Sequence, residues 1–122
     1  MPGGDQSFGK EVLLRRRSEF LAVQDRGARI SADCLLVLWQ RNDKGVTRLG
    51  LTVSSKVAHA VERNRIRRQL REFFRTKQRE FPVGVDVVVI ARTSAKDAAP
   101  ERLRRAFARG LQELQRKAGA PR

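Results

Sequence analysis

The sequence predicts one domain of the mixed α/β class, on three observations. The chain has 122 residues, which is enough for one compact core and too few for two domains of ordinary size. Hydrophobic residues make up 40% of the chain, which favours a folded core over a disordered basic tail. Segments with strand-like patterns and segments with helical spacing of apolar residues are interspersed along the sequence. Helices packed on a sheet are therefore expected.

The first predicted element is a helix that begins at Ser18, a residue type favoured as an N-cap. Phe20 and Val23 are apolar and three residues apart, and Gly27 stands just past a plausible end. Two strands are predicted next, over residues 34–40 and 48–54. Asn42, Asp43 and Gly45 lie between them and favour a turn. The two strands are therefore expected to pair as an antiparallel hairpin.

A further strand is predicted over residues 83–91, an apolar run interrupted only by Asp86. Such a run is typical of a strand that is covered on both faces. The last predicted element is a helix over residues 100–117, with Pro100 in its first turn. Its apolar positions follow helical spacing and predict one face packed on the sheet; they are Leu103, Phe107, Leu111 and Leu114.

The charge of the chain is strongly unbalanced. Lys and Arg number 27 against 13 Asp and Glu, for a net charge of +14. A nucleic acid or an acidic membrane surface could neutralise this charge, and composition alone leaves both open. No apolar stretch approaches the ~18 residues of a membrane span, and residues 1–6 lack the apolar core of a secretory signal. The single Cys34 cannot form an internal disulfide, so we expect a protein of the reducing cytoplasm.

The densest charge lies in residues 62–79, where eight of eighteen residues are basic. At about 100° per residue, three apolar side chains share one face of a helix, and an Asn and four Arg share the opposite one. The apolar face is Ile66, Leu70 and Phe73, and the basic face is Asn64, Arg67, Arg68, Arg71 and Arg75. Glu72 is the main acid nearby, so these guanidinium groups should have few internal partners. A solvated helix face is the plain alternative, but stacked like charges destabilise a helix unless a partner binds. Guanidinium forks suit phosphate, which favours RNA.

The same segment resembles the signature of the bacterial ribonuclease P protein family. The matching residues are Lys56, Ala60, Val61, Arg63 to Arg68, Arg71, Glu72 and Phe74. The strand before the signature, the early Ser18-Glu19-Phe20 and the strand ending at Arg92 also resemble the family, so the resemblance covers residues 14–117. It implies a two-layer sandwich of a mixed, mostly antiparallel sheet of about four strands with three helices. The implied order is αβββαβα, with a left-handed crossover at the signature helix. From composition, residues 1–13 and 118–122 are expected to be loose tails, since the first ten residues are polar and Gly-rich and the last five contain Gly119 and Pro121.

By this resemblance the chain is the protein subunit of ribonuclease P, with the catalytic RNA and precursor tRNA as partners and no obligate protein partner or membrane. Mg²⁺ would be held by the RNA and the holoenzyme. The resemblance assigns one group of residues to the catalytic RNA: Lys56, Arg63, Asn64, Arg65, Arg67, Arg68 and Arg71. It also implies a cleft between the first helix and the sheet for the single-stranded 5′ leader, where aromatic rings can stack on bases. Its lining would be Phe20, Val37, Trp39 and Arg92, while Gln24, Ser55 and Thr93 depart from the residues usual in the family.

Side chains for cleavage are not expected in this protein. His59, the only histidine, has no Cys or His at metal-ligand spacing and is expected in a loop or a helix cap. The acids are scattered singly, without a pair suited to a magnesium ion or a scissile bond. The expectation is that the RNA cleaves and the protein neutralises charge and positions substrate. An RNA-binding module of ribosomal type remains as an alternative.

Overall fold

The computed structural model of the protein describes residues 13, 14 and 16–118. It contains three helices and four strands in the predicted order αβββαβα. The helices are α1 (Arg17–Arg26), α2 (Ala60–Lys77) and α3 (Pro100–Ala118), and the strands are β1 (Ala28–Ala32), β2 (Leu35–Arg41), β3 (Arg48–Thr52) and β4 (Val85–Ala91). Short 3-10 turns follow α2 and β4, at Gln78–Glu80 and Thr93–Ala95. The predicted fold class is confirmed.

The strands form one mixed sheet in the order β1-β2-β4-β3. β2 pairs antiparallel with both β1 and β4, whereas β3 is parallel to β4 and α2 makes the crossover between them. The predicted hairpin of β2 and β3 is therefore wrong, because β4 lies between the two strands. β4 is buried along its length except at Ile90, which is partly exposed, because β2 and β3 pair with its two edges and helices cover both faces of the sheet. The loop after β2 instead contacts the turn before β4, where the Asn42 amide N–H donates to the Gly84 carbonyl at 2.7 Å.

β1 was not predicted from its residues. Its sequence, ARISA, buries only Ile30 and Ala32, and pairing with β2 stabilises it as an edge strand. Gly27 joins α1 to β1 in a close approach of backbones. A Cβ atom there would lie 2.4 Å from the Val23 carbonyl oxygen and 2.7 Å from that of Trp39, so only glycine fits at this junction.

The predicted boundaries need small corrections. α1 begins at Arg17 and its N-cap is Arg16 rather than Ser18, because the Glu19 carboxylate reaches back to accept the Arg16 amide N–H at 3.3 Å. Leu13 makes a β-bridge with Leu49, and Ala118 is buried as the last residue of α3, so both residues belong to the domain. The remaining parts of the predicted tails, residues 1–12 and 119–122, lie outside the described residues.

The larger core lies between the sheet and the pair α2 and α3. The predicted stripe of Ile66, Leu70 and Phe73 is buried here, as is the predicted face of α3. Phe73 stacks on Phe107 of α3 with ring centroids 4.8 Å apart, so the two helices share one core. Cys34 is fully buried in it, and burial raises the pKa of its thiol.

A smaller core lies on the opposite face of the sheet, where α1 packs. It consists of Leu14, Val23, Leu38 and Val88, with Phe20, Leu36 and Ile90 partly buried beside it. Since side chains alternate along a strand, the even-numbered residues of β2 and β4 face α1.

A buried ion-pair network holds α1 to the sheet. The guanidinium of Arg48 in β3 donates two hydrogen bonds to the Asp86 carboxylate in β4, both of 2.8 Å, and a third of 2.9 Å to Glu19 of α1. The bond to Asp86 raises the pKa of Arg48. The Asn42 side-chain amide also donates to Asp86, at 2.7 Å. The Arg48 guanidinium thus joins α1 to the strands β3 and β4, and the Asp86 carboxylate joins the loop after β2 to them.

We expect Arg48→Met to lower the free energy of unfolding by about 3–5 kcal/mol, because it leaves the Asp86 carboxylate buried without its cation. Urea unfolding measures this change. Glu19→Gln, which removes a more exposed partner, should cost less than about 1 kcal/mol. The double variant R48M/D86L should recover most of the loss, since both charges are then gone. A variant R48M as stable as the wild type would show that the network contributes nothing.

Candidate nucleic-acid interface

α2 presents a basic face away from the core. Asn64, Arg68 and Arg71 are exposed, and Arg67 and Arg75 are partly exposed, so the predicted outward orientation of these five residues agrees with the structure. The helix begins after His59, whose amide N–H donates to the Glu62 carboxylate at 3.1 Å. His59 is therefore the expected cap. Lys56 is exposed in the loop that leads into the helix.

The arginines of the signature have different surroundings. Arg65 donates to the carbonyl oxygens of Lys96 at 2.8 Å and Ala98 at 3.0 Å, and so fastens the loop before α3. Arg63 donates to the Ala58 carbonyl at 3.0 Å. Within the described residues no hydrogen bond or ion pair involves the side chains of Arg68 and Arg71. Among the guanidinium groups of this helix, only those of Arg68 and Arg71 are therefore without a partner in the part of the chain that the structure describes.

Arg75 differs from the expectation that the outward guanidinium groups have few partners. It forms an ion pair with Glu72, three residues earlier on the same helix. The hydrogen bond from Arg75 lowers the pKa of Glu72. Three residues of separation on a helix bring the two side chains together, which the angular positions alone did not show.

A groove joins the basic face of α2 to α1 and the edge strand β3. It has a volume of about 300 Å³. Its lining combines uncharged residues with two arginines: Leu13, Leu14, Phe20, Leu49, Gly50 and Leu51, with Arg67 and Arg71. A second hollow of about 330 Å³ shares Phe20 with the first and is also lined by Arg17, Leu21, Gln24 and Thr52. We call the two hollows together the α1–β3 groove.

Phe20 lines both hollows of this groove and is partly exposed. Its ring lies over Gly50, where a Cβ atom would come within 2.7 Å of the ring. A glycine in the middle of a strand often marks such a close approach, so Gly50 was a signal in the sequence that had no assigned role. The prediction that Phe20 lies between the first helix and the sheet agrees with the structure.

Val37 and Trp39 do not line the groove, so their predicted place in the cleft is wrong. Both belong to the core on the α2 and α3 side, and a Cβ atom on Gly110 of α3 would touch Val37 at 2.8 Å. The β2 residues that face α1 are their neighbours Leu36 and Leu38. The apolar run of β2 has no alternation that could have shown which set faces which helix.

Arg92 is exposed directly after β4, and its amide N–H donates to the Cys34 carbonyl at 2.9 Å. It is not among the residues that line the α1–β3 groove. Of the residues predicted for RNA contact, the structure thus brings Phe20, Arg67 and Arg71 to one surface, which continues into Asn64 and Arg68.

In residues 13, 14 and 16–118, no group of three or more His, Cys, Asp or Glu side chains could hold a metal ion. Nor is any helix in this part of the chain both long and apolar enough to cross a membrane.

Comparison with known proteins gives a consistent result. A family model described as Ribonuclease P matches residues 8–115. The chain belongs to the ribonuclease P protein family. It is 41% identical over 102 residues to the ribonuclease P protein component of Desulfosudis oleivorans, with 84% of each chain covered. It is 43% identical over 108 residues to that of Gluconacetobacter diazotrophicus, with 87% of this chain and 90% of the relative covered.

Solved structures of the family share the fold. The RNase P protein from Thermotoga maritima is 30% identical and has a TM-score of 0.75, over 82% of this chain and 94% of that one. The RNase P protein from Staphylococcus aureus is 25% identical and has a TM-score of 0.77, over 91% and 98% of the two chains.

We expect Arg65→Ala to lower the free energy of unfolding by about 1.5–3 kcal/mol, because two carbonyl oxygens of the loop before α3 lose their charged donor. Arg68→Ala, on the same helix and without a partner in the described structure, should stay within about 0.5 kcal/mol of the wild type. Urea unfolding of both variants measures the difference. Equal stabilities for the two variants would contradict a structural role for Arg65.

Proposed function

We propose that the exposed face of α2 binds the catalytic RNA of ribonuclease P and that the α1–β3 groove holds the 5′ leader of precursor tRNA. The chain is the protein subunit of this enzyme, which removes the leader to produce the mature 5′ end. One observation carries the proposal: Arg67 and Arg71 belong both to the basic face of α2 and to the lining of the groove that contains Phe20. Catalytic RNA and substrate would therefore be bound on adjoining surfaces.

Electrostatics supports the α2 contact. The net charge of +14 favours association with a polyanion through counterion release. Arg68 and Arg71 stand one turn apart on the exposed side of a helix whose other side is anchored by Ile66 and Leu70. Their forks can each donate two parallel hydrogen bonds to phosphate without breaking a contact within the described protein. Lys56, Arg63 and Asn64 extend this surface toward the start of the helix, and Arg65 contributes mainly by holding the adjacent loop.

The groove suits a single strand of RNA. Phe20 offers an aromatic face on which a base can stack whatever its identity. Arg17 lines one hollow together with Phe20, and Arg67 and Arg71 line the other hollow together with Phe20, so basic groups are available for the phosphates that flank a stacked base. Arg92 would contact the leader only beyond the groove, at the end of β4.

In this proposal Mg²⁺ is held by the RNA and the holoenzyme. Magnesium prefers phosphate and carboxylate oxygen ligands, and the surfaces that this chain offers to RNA are basic. Its own residues bind phosphates, lower their mutual repulsion and orient the leader. We also place the protein in the cytoplasm, where Cys34, buried and without a cysteine partner, stays reduced.

The structure does not favour the membrane-surface alternative. A helix that lies in a bilayer interface must present an apolar face to lipid. In α2 that face, Ile66, Leu70 and Phe73, is buried against the sheet and α3. An RNA-binding module of ribosomal type would share the basic face but would not need the groove to recognise a leader.

Cleavage of a precursor tRNA at low Mg²⁺ concentration tests the proposal. With the cognate catalytic RNA, we expect the protein to restore cleavage strongly, because its charges replace part of the screening that Mg²⁺ otherwise provides. The protein without RNA should not cleave. Tight RNA binding without restored cleavage would instead favour the ribosomal-type module.

Phe20→Ala should weaken binding of precursor tRNA to the reconstituted enzyme by about 1–3 kcal/mol, the value of one stacked base, or roughly 5–150-fold in affinity. Affinity for mature tRNA, which has no leader, should not change. Trp39→Phe is the matched control, since this aromatic residue faces the other side of the sheet and should leave both affinities unaltered. Equal losses for precursor and mature tRNA would remove Phe20 from leader binding.

A further inference from the structure

A second basic surface lies at the opposite edge of the sheet. Here α3 packs beside the edge strand β1, and two adjoining hollows of about 590 and 420 Å³ run between them and the β1–β2 turn. Six basic residues and two acidic ones belong to their lining: Arg29, Arg102, Arg105, Arg109, Arg116 and Lys117, with Asp33 and Glu113. We call this surface the α3–β1 face.

The charges of this face are not balanced internally. Arg102 donates to Asp33 at 2.9 and 3.0 Å, and Arg116 is paired with Glu113 at 2.7 Å. Both acids are thus already occupied. Arg105 and Arg109 are exposed, and within the described residues their side chains form no hydrogen bond or ion pair.

The charges of Arg105 and Arg109 nevertheless act on the nearby carboxylate of Asp33. The hydrogen bond from Arg102 lowers the pKa of Asp33, and the charges of Arg109 and Arg105 lower it further. Two guanidinium groups four residues apart on one side of a helix repel each other unless an anion lies between them. Binding of an anionic ligand to this face would therefore reduce the repulsion between the two guanidinium groups.

Its shape and chemistry fit a phosphate backbone better than a protein or a lipid surface. The basic positions of α3 from Arg102 to Lys117 span about 22 Å at ~1.5 Å per residue, which gives a linear array along a concave surface. Protein interfaces are enriched in aromatic and apolar anchors, and membrane-surface helices need exposed apolar side chains. The exposed large apolar residues among those described are Leu21, Val61 and Val83, and none of them lines this face.

We propose that the α3–β1 face binds a second segment of RNA backbone, distinct from the segment bound by α2. This inference rests on the proposed function, in that the RNA is the catalytic RNA of the same enzyme. β1 and β3 are the two edges of the four-stranded sheet and lie about 14 Å apart at ~4.8 Å per strand. The α3–β1 face adjoins one edge, and the groove with Arg67 and Arg71 adjoins the other. The protein is thus held between two RNA segments.

The test is the salt dependence of binding to the cognate catalytic RNA. The double variant R105Q/R109Q should lower the slope of log K against log [KCl] by about one unit per lost phosphate contact, about two in all. R105K/R109K keeps both charges and should keep the slope. The matched control is K44Q/R79Q, which removes two exposed charges outside both surfaces and should change the slope little. A slope for R105Q/R109Q equal to that of this control would overturn the inference.

Hydroxyl-radical footprinting with the same proteins locates the two contacts. We expect R105Q/R109Q to lose protection at nucleotides different from those exposed by R68Q/R71Q. Loss at the same nucleotides would overturn the assignment of a second segment. If R68Q/R71Q binds and protects like the wild type while R105Q/R109Q does not, the proposed role of α2 fails and the α3–β1 face stands. Thermal unfolding of each variant confirms that it is folded.

Discussion

The guanidinium of Arg48 is the interaction on which the arrangement of this protein most depends. It joins Glu19 of α1 to Asp86 of the central strand β4. Glu19 immediately precedes Phe20, and Arg48 lies two residues before Gly50 on the same face of β3. The ion pairs therefore hold the aromatic ring over the glycine that makes room for it. Since the core beneath α1 contains only a few side chains, this network largely sets the position of the helix and the shape of the groove.

The place of β4 between β2 and β3 determines the layout of the two basic surfaces. It makes β1 and β3 the edges of the sheet and carries α2 across one face. α3 then packs beside α2, joined by the stack of Phe73 on Phe107. Each helix buries its apolar stripe against a common core and has a basic face near its own edge. A chain of 122 residues thus presents positive charge on two sides without placing the two arrays against each other.

The arginines of the signature on α2 have different roles in the structure. The Arg65 guanidinium donates to two backbone carbonyl oxygens, whereas those of Arg68 and Arg71 form no hydrogen bond or ion pair within the described residues. The same division recurs outside the motif, where Arg48 is a buried structural cation and Arg105 and Arg109 are exposed. A guanidinium can serve either purpose, because its planar fork suits carbonyl, carboxylate and phosphate oxygens alike. Whether an arginine is bonded within the protein or exposed at its surface is therefore decided by the groups that surround it in the fold.

What could be read from the sequence was local: the helical stripe of α2, the doubly covered strand β4 and the density of positive charge, together with the motif that resembles the family. Periodicity within one element depends on neighbours three or four residues apart, so the residues alone reveal it. Strand pairing and the choice of sheet face are non-local. The turn residues at 42–45 favoured a β2–β3 hairpin, but β4 pairs between these two strands instead. Val37 and Trp39 face α2 and α3 rather than α1, because the residues that they pack against come from distant segments of the chain. The tertiary structure alone brought Phe20, Arg67 and Arg71 together, since no local pattern links α1, β3 and α2.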